Sequence, residues 1–505
     1  MSKEKQKIIS NGVKKYKIVS VTPEIDPYSK TGGLGDVSRS LPKSLHRLGH
    51  DVIVVTPFYK RAIDRKKHKL ERIYTDVKLR IDKETELQVS YYRAELLPGL
   101  KVYFVRNDKY FSRRKELYGS THENARFYLF DIATLKLISL LKFKADIIHC
   151  HDWPSGLIPQ LKKTRFKSSK TLANAATVFT IHNLVFQLGS NWWEIPLKHK
   201  DNGKKALPLF SDPNIEYINF AKRAILNADA INTVSETYAE EILKPTFGQD
   251  LHRILINRQH KLFGVVNGID YKELNPKNDK TIYKNYDHKK IQRKKLNKKY
   301  VQKLFKLEID ENVPILCTTS RVTFQKGFEL ILEIINRLMY FDLQIIIAGA
   351  GDKRFLGELK KVAKKFPHKL AVIPSHEKLL KYENQIYAGS DMILLPSHYE
   401  PCGINQMKAF RYGCVPIVRS TGGLNDTVIN FEPDNEGNGF KFKNYNSQEL
   451  LVAITRALET YKYSKVWRDL VCRGMKPSFS WDVPAQKYIE LYKEAIKFKK
   501  QDESR

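Results

Sequence analysis

The 505-residue chain is poor in cysteine, in acidic residues and in long hydrophobic runs. Its five cysteines are odd in number and scattered, with no Cys-x-x-Cys pair, which argues against a disulfide framework or a cysteine zinc site and favours a reducing cytoplasm. No stretch of 18 apolar residues occurs, so we expect no membrane span. The Lys-rich segment from Met1 to Lys17 lacks the long apolar core of a secretory signal.

The shortage of acidic residues leaves a large positive charge. Against 55 Asp and Glu stand 88 Lys and Arg, for a net charge of +33. Such an excess suits nucleic acid, an anionic surface or an anionic substrate. The basic residues are nevertheless spread through the chain, and no RNA-binding aromatic pattern or helix-turn-helix accompanies them. We interpret the charge as a solvated lysine-rich surface and expect neither a specific nucleic-acid partner nor a membrane partner.

Strand-like and helix-like segments alternate in two series. The predicted strands are 17–22, 51–56, 101–105, 146–150, 177–181, 230–234 and 262–266, then 313–319, 343–348, 370–373, 392–395 and 415–418. This alternation predicts an α/β protein with two doubly wound, Rossmann-like domains. The turn signal Asn267-Gly268 and the polar stretch after it predict an N-terminal domain over 1–266 and a C-terminal domain over 267–480. The amphipathic pattern at the end predicts a C-terminal helix over 481–505, which we expect to pack back on the N-terminal domain. The default ligand site of such a pair is the cleft between the domains.

A lysine and a glycine pair stand on the first strand-to-helix turn. Lys30, Gly32 and Gly33 follow the strand 17–22 and precede apolar residues at helical spacing from Ser38 onward. Glycines let amide groups approach an anion, and a helix N-terminus adds partial positive charge. The order Gly-Gly-x-Gly-Asp matches neither the dinucleotide fingerprint nor the P-loop. Two interpretations stay open here: a phosphate cradle, or a tight turn that needs glycine for its backbone angles.

Histidines mark the ends of two later strands of the first series. His149, His151 and Asp152 close the strand 146–150, and His182-Asn183 follows the strand 177–181. Polar residues at the carboxyl ends of parallel strands belong to the ligand edge of the sheet. A metal site is a poor explanation, because no acidic or cysteine partner shares the ligand spacing. Histidines that merely tie loops together remain the alternative.

Charged residues and glycines mark the strand ends of the second series. Arg321 and Lys326 follow the strand 313–319 at the start of a helix, where paired cations can stabilise a leaving diphosphate without a metal. Glu400 follows the strand 392–395, where it can accept hydrogen bonds from sugar hydroxyls or cap the next helix. Gly422-Gly423 repeats the glycine turn and can offer amides to phosphate.

In this order, the blocks resemble the glycogen and starch synthase family of glycosyltransferases. The matching segments span nearly the whole chain and are 30–37, 149–153, 180–183, 266–270, 320–327, 396–403, 421–424 and the end around 479–492. The resemblance implies the glycosyltransferase-B fold, with two Rossmann-like domains facing a central cleft. It implies transfer of an α-glucosyl unit from ADP-glucose to the non-reducing end of an α-1,4-glucan such as glycogen, with retention of configuration. It implies no cofactor and no metal.

The resemblance also implies roles for individual residues. The expected catalytic residues, which contact the glucosyl ring or hold the departing diphosphate, are His151, Arg321, Lys326 and Glu400. The expected substrate-binding residues are Lys30, Gly32, Gly33, Asp36, Asn183, Asn267, Cys402, Gly403, Thr421, Gly422 and Gly423.

Five features depart from the family pattern or narrow it. Ser375 stands where an aromatic often stacks on the nucleotide base, which leaves UDP-glucose open as the donor. His398 and Asn405 replace a common Arg and a common Thr. Many related transferases carry a second glutamate at the position of Lys408. Bacterial glycogen synthases lack this glutamate too, so Lys408 supports the resemblance to the glycogen and starch synthase family in particular. The segment Gly189–Asn214 diverges, so another acceptor, or a catalytically silent glucan-binding protein, is the alternative function.

Overall fold

The computed structural model describes residues 14–64, 67–114, 116–119, 122–189, 192–434, 436–476 and 478–504. Most of the Lys-rich N-terminal segment discussed above, and residues 190 and 191 of the divergent segment, lie outside these ranges. The chain divides into two compact units. Unit 1 runs to Val234 and includes Ala239–Val265 and the chain from Pro484 onward, whereas unit 2 holds Ser235–Tyr238 and Val266–Val483. The short excursion at Ser235–Tyr238 had no sequence signal.

Unit 1 is built on a nine-stranded sheet. Its strands are β1 (Lys17–Val21), β2 (Asp51–Pro57), β3 (Glu71–Arg80), β4 (Glu86–Leu97), β5 (Leu100–Arg106), β6 (Ile147–His151), β7 (Ala176–Ile181), β8 (Ala230–Thr233) and β9 (Leu262–Gly264). The spatial order is β3-β4-β5-β2-β1-β6-β7-β8-β9. β4 pairs antiparallel with β3 and β5, and the remaining pairs are parallel. β6 and β7 are buried along their whole length, as expected for central strands covered on both faces.

Unit 2 is built on a six-stranded, fully parallel sheet. Its strands are β10 (Ile315–Thr319), β11 (Gln344–Ala348), β12 (Leu370–Ile373), β13 (Met392–Leu395), β14 (Val415–Arg419) and β15 (Phe440–Phe442). The order is β12-β11-β10-β13-β14-β15, so the chain reverses direction across the sheet after β12. One large apolar core of buried Ile, Leu, Val and Phe packs around this sheet. The order reversal places the ends of β10 and β13 side by side, which is where ligands bind in open parallel sheets.

Helices join the strands in both units. They are α1 (Gly33–Arg47), α2 (Glu123–Leu140), α3 (Ile158–Lys163), α4 (Phe220–Asn227), α5 (Glu236–Glu241), α6 (Pro245–Gly248), α7 (His252–Asn257), α8 (Lys294–Leu304), α9 (Phe328–Leu338), α10 (Lys353–Lys365), α11 (His376–Gly389), α12 (Asn405–Arg411), α13 (Gly422–Thr427), α14 (Ser447–Tyr461), α15 (Ser464–Met475) and α16 (Asp482–Glu503). Among the described residues, no helix is both long and apolar enough to cross a bilayer. The alternation of strands and helices confirms the predicted α/β fold.

The structure differs from the sequence prediction in four elements. β3 and β4 were not predicted, because β3 is mostly exposed and mixes charged with apolar residues instead of presenting a buried run. β15, with three residues, is too short for a pattern. α1 begins at Gly33 and not at Ser38, so Gly33 opens the helix and Gly32 is its N-cap. The predicted glycine turn is therefore the first turn of a helix.

Candidate active site

Lys326 and Glu400 form the centre of the candidate site in unit 2. The ammonium Nζ of Lys326 lies 2.5 Å from Oε2 of Glu400, and the hydroxyl of Ser397 donates to the same oxygen over 3.1 Å. Lys326 follows β10, and Glu400 follows β13, its parallel neighbour. Because parallel strands end at the same edge, the fold brings together two residues that lie 74 positions apart.

Backbone contacts fix the two loops to each other. The amide of His398 donates to the carbonyl of Gln325 over 2.9 Å. Gly327 has a φ of +73°, and a β-carbon there would lie 2.1 Å from the carbonyl oxygen of Pro396. Only glycine therefore permits this approach of the turn at Phe324–Lys326 to the loop after β13. Arg321 lies exposed at the start of the same turn, and its Nη2 is 3.5 Å from Oε1 of Gln325.

The glycines of α13 pack directly against the backbone of the Glu400 loop. A β-carbon on Gly422 would lie 1.9 Å from the carbonyl oxygen of Glu400, and one on Gly423 would lie 2.1 Å from that of Cys402. The amide of Gly423 donates to Glu400 O, and the amide of Thr421 donates to Arg419 O. Gly422 and Gly423 thus pack against the backbone of the Glu400 loop, and the Gly423 amide is already hydrogen-bonded within the protein.

The remaining predicted residues of unit 2 surround this loop. Gly403, with a φ of +71°, lies in the loop two residues before α12. Glu400 does not cap α12, because its carboxylate is engaged by Lys326 and Ser397. Cys402 is buried, and burial raises the pKa of its thiol to about 12, which makes it a poor nucleophile. Asn267 is also buried, and within the described chain its Oδ1 has no hydrogen-bond partner.

The Lys30 loop of unit 1 already holds an anion, and that anion is a carboxylate of the protein. Glu24 is buried, and its two oxygens accept hydrogen bonds from the amides of Thr31 (3.0 Å), Gly32 (3.3 Å) and Gly35 (2.9 Å) and from the Thr31 hydroxyl. Desolvation raises the pKa of Glu24 despite these donors. The amides expected to cradle a phosphate therefore bind Glu24.

Both interpretations of the loop need correction. Gly32 is extended, with a φ of −157°, and neither Gly32 nor Gly33 has a positive φ, so these glycines do not form a turn that requires left-handed backbone angles. Lys30, Gly32 and Gly33 are exposed, and Nζ of Lys30 lies 2.5 Å from Asp36. The side chain of Lys30 is therefore exposed to a ligand, whereas the amides of Thr31, Gly32 and Gly35 are occupied by Glu24.

Three histidines stack at the ends of β6 and β7 in unit 1. The ring centroids of His149 and His151 are 4.0 Å apart, and Nδ1 of His151 lies 3.0 Å from Nε2 of His182. His149 is held by the hydroxyls of Tyr492 (2.9 Å) and Thr180 (2.7 Å). Burial lowers the pKa of His149 and of His182 to about 3, and that of His151 also falls well below its usual value. All three rings are therefore neutral near pH 7. Both ring nitrogens of His149 are used within the protein, and so are those of His151, whose Nε2 lies 3.2 Å from the hydroxyl of Ser20.

Asp152 is the residue of this edge that was not selected from the sequence. It has a φ of +58°, which is strained for a residue with a β-carbon. Its Oδ1 accepts hydrogen bonds from the amide of His182 and from Nε2 of Gln187, both at 2.8 Å, and burial raises its pKa to about 7. Asn183 directly follows His182 in the sequence, and its side chain accepts a hydrogen bond from the amide of Val185. The sequence signal was present, because Asp152 directly follows His151 at a strand end.

The departures from the family pattern have local partners. Ser375 caps α11 by accepting the amide of Lys378. Lys408 pairs with Glu383 at 2.8 Å, and Asn405 donates to the carbonyl of Thr319. These residues therefore have structural roles. In the described part of the chain, no group of three or more His, Cys, Asp or Glu side chains is arranged to hold a metal.

Comparisons with known proteins agree with this architecture. Residues 17–257 match the starch synthase catalytic domain family, and residues 301–469 match the glycosyl transferases group 1 family. A glycogen synthase of Pseudothermotoga lettingae is 39% identical over 96% of this chain and 99% of its own length. One from Clostridium botulinum is 40% identical over 95% and 99%.

Solved structures give the same result. The catalytic domain of starch synthase IV from Arabidopsis thaliana, bound to ADP and acarbose, matches with a TM-score of 0.83 and 31% identity over 96% of this chain and all of that one. Sucrose-phosphate synthase from Thermosynechococcus elongatus matches with a TM-score of 0.57 at 18% identity, which shows the fold alone. The two α/β units are thus those of a hexosyltransferase with the glycosyltransferase-B fold. Within that class, the chain belongs to the glycogen and starch synthase family.

Proposed function

We propose that the protein transfers the α-glucosyl unit of ADP-glucose to the non-reducing end of an α-1,4-glucan such as glycogen, with retention at the anomeric carbon. The observation that carries the proposal is the Lys326–Glu400 pair at the carboxyl edge of the unit 2 sheet, in a chain similar to glycogen synthases over nearly its full length. The similar starch synthase IV structure has ADP and acarbose bound, which supports a nucleotide donor and a glucan-like acceptor.

The cations of the β10 turn stabilise the leaving group in this proposal. As the glycosidic bond to ADP breaks, negative charge grows on the distal phosphate. Lys326 supplies a point charge and the exposed Arg321 a planar fork for phosphate oxygens. Glu400 holds the Lys326 ammonium in place and offers its remaining lone pairs to sugar hydroxyls.

Retention follows from same-face departure and attack. Glu400 is already bound to Lys326 and Ser397, which makes it a poor covalent nucleophile. The acceptor hydroxyl then attacks from the side on which ADP leaves, and the departing phosphate takes its proton. The buried Oδ1 of Asn267 is one group that we assign to a sugar hydroxyl. The neutral ring of His151 is the other, and Nε2 of His151 would exchange its present hydrogen bond with Ser20 for one with the sugar.

In unit 1 we assign substrate contact to Lys30, Asp36 and Asn183, with the loop kept rigid by Glu24. Gly32 and Gly33 contribute by leaving the loop surface open, since nothing lies within 4 Å of a β-carbon built on Gly32. The five cysteines are all free thiols, which supports a reducing compartment such as the cytoplasm.

The test is glucosyl transfer from labelled ADP-glucose and, separately, labelled UDP-glucose onto glycogen, without added metal. We expect incorporation mainly from ADP-glucose. Incorporation mainly from UDP-glucose would overturn the donor and would fit Ser375 in place of a base-stacking aromatic. No incorporation from either donor would overturn the proposed reaction in favour of another acceptor or a silent glucan-binding protein. The Lys326→Ala variant serves as the blank for site-dependent transfer.

A further inference from the structure

Three aromatic side chains are exposed in unit 1 within and beside the divergent segment Gly189–Asn214. Trp193 is 66% and Phe186 is 56% exposed, and Tyr217 is partly exposed on the same stretch of chain. Large aromatic rings facing solvent mark an interaction surface more often than a random surface position does. We refer to Phe186, Trp193 and Tyr217 as the aromatic surface.

Hydrogen-bond, ion-pair and cation–π contacts hold the residues next to Trp193 in the aromatic surface. Trp192 is buried and donates its indole N–H to Asp250 over 2.8 Å. The ammonium of Lys200 lies 4.8 Å from the ring centroid of Trp192 and 5.1 Å from that of Trp193, and it is itself paired with Asp250. Trp193 is therefore exposed beside a neighbour anchored by a hydrogen bond and by cation–π contacts.

The aromatic surface is continuous with the histidine edge of the candidate active site. Trp192, Tyr217 and Gln187 line one cavity, and Phe186 and Trp193 are the chain neighbours of these lining residues. Gln187 also donates to Asp152 and accepts the amide of Trp153, so one side chain joins the two regions. The cavity holds about 30 Å³, enough for a water molecule but not for a sugar ring. A ligand must therefore lie across the rings.

We infer that the aromatic surface binds the α-glucan acceptor at glucose units beyond those in the active site. This inference rests on the proposed function, and it names where a polymeric acceptor is held. The apolar faces of glucose rings stack on flat aromatic side chains, while their hydroxyls reach polar groups at the edges. Such a group here is Nδ2 of Asn219, which lines the cavity and has no hydrogen-bond partner among the described residues. The central cation, Lys200, is neutralised by Asp250, which suits an uncharged polymer better than an acidic one.

The experiment measures the dissociation constant for glycogen by native gel electrophoresis in glycogen-containing gels, with the full chain and its Trp193→Ala and Phe186→Ala variants. We expect each variant to bind glycogen roughly five- to tenfold more weakly, as for the loss of one stacking contact. The KM for glycogen should rise in parallel, while the KM for the nucleotide sugar and kcat at saturating glycogen stay within about twofold.

Controls separate ring stacking from general hydrophobicity. Trp193→Phe keeps a flat ring and should restore most of the affinity, whereas Trp193→Leu should not. Leu197→Ala removes an apolar side chain that is 85% exposed on the same segment, and Tyr340→Ala removes an aromatic that is 83% exposed in unit 2. Both should leave glycogen binding unchanged.

Two results would overturn the inference. One is unchanged glycogen binding in Trp193→Ala and Phe186→Ala. The other is an equal loss in Leu197→Ala with no rescue by Trp193→Phe, which would indicate a hydrophobic protein contact. A failure of the proposed reaction would be recognised by a different result, the absence of glucosyl transfer in the unmutated protein. The gels measure glycogen binding whether or not transfer occurs.

Discussion

Lys326 and Glu400 form a contact whose disruption has a chemical consequence. Their side chains are only 18% and 11% exposed, so the charges interact with little screening by solvent. Replacing Lys326 by Ala removes the cation that we assign to the leaving diphosphate and should lower kcat by roughly 10²- to 10³-fold, the usual effect of losing one such group. The measurement is glucosyl transfer at saturating substrates, with circular dichroism to verify folding.

Lys462→Ala is the matched control for Lys326→Ala. Lys462 also pairs with a glutamate, Glu459, at 2.7 Å, but the pair is exposed and lies on α14. Its loss should leave kcat unchanged. Activity of Lys326→Ala within threefold of the unmutated protein would contradict the assignment of Lys326.

Each buried neutral histidine makes the free energy of unfolding depend on pH. The folded pKa of His149 is about 3, against about 6.5 in an unfolded chain. Between these values the unfolded chain binds a proton that the folded chain does not, so the free energy of unfolding falls as the pH falls, by about 1.4 kcal/mol per pH unit for each such histidine. Above about pH 6.5 this contribution is constant.

His149→Gln tests that dependence. The variant loses one titrating group, so its free energy of unfolding should fall less steeply than that of the unmutated protein between pH 6.5 and 4.5. Urea denaturation at several pH values measures both slopes. Identical slopes would show that His149 is already charged in the folded protein or is not buried there, whatever the absolute stability of the variant.

At the scale of elements, α13 shows how a glycine pair controls the position of a loop. A β-carbon at Gly423 would meet Cys402 O at 2.1 Å, whereas one at Gly357 within α10 meets nothing within 4 Å. Gly423→Ala should therefore displace the Glu400 loop and lower kcat at least tenfold. Gly357→Ala should leave kcat unchanged and raise stability by up to about 1 kcal/mol, from helix propensity alone. Thermal unfolding and transfer assays on both variants distinguish these effects, and equal activities would refute the close approach at Gly423.

Ligands of parallel sheets bind at the carboxyl ends of the strands, and this rule explains which candidate residues could be selected from the sequence. Arg321, Lys326 and Glu400 could be selected because each follows an apolar run, and parallel strands deliver their ends to one edge. The role of Glu24 could not be predicted in this way. It lies in an irregular segment, and its four hydrogen-bond donors become visible only when the loop and α1 are folded around it.

Specific side-chain contacts between residues far apart in the sequence could not be predicted from sequence patterns. His149 and Tyr492 are 343 positions apart, and nothing in the spacing of either indicates the other. β3 was missed for a related reason, because it is mostly exposed and pairs with β4, whose own buried run spans only four residues. Periodicity reports burial, so elements with little burial and partners far along the chain escape it.

At the scale of the whole molecule, the chain ends by returning to unit 1. From Pro484 onward α16 belongs to that unit, and Tyr488 and Tyr492 are fully buried there. Tyr492 bonds to His149 of β6, and Tyr488 accepts a hydrogen bond from Asn232 of β8. The last helix is therefore part of the unit 1 core behind the histidines, although unit 2 separates it from the rest of unit 1 along the sequence.

Ending the chain at Val483 should destabilise unit 1 selectively. Loss of α16 uncovers apolar surface next to β6 and β8 and leaves His149 without one of its two partners. Hydrogen–deuterium exchange should show lost amide protection in β6 and β7, while β10 and β13 of unit 2 keep theirs. A milder truncation after Lys500, which removes the ion pair of Lys261 with Asp502 but leaves both tyrosines, should preserve protection in both sheets. Unchanged protection of β6 in the longer truncation, or equal loss in both units, would show that α16 does not stabilise unit 1 in this way.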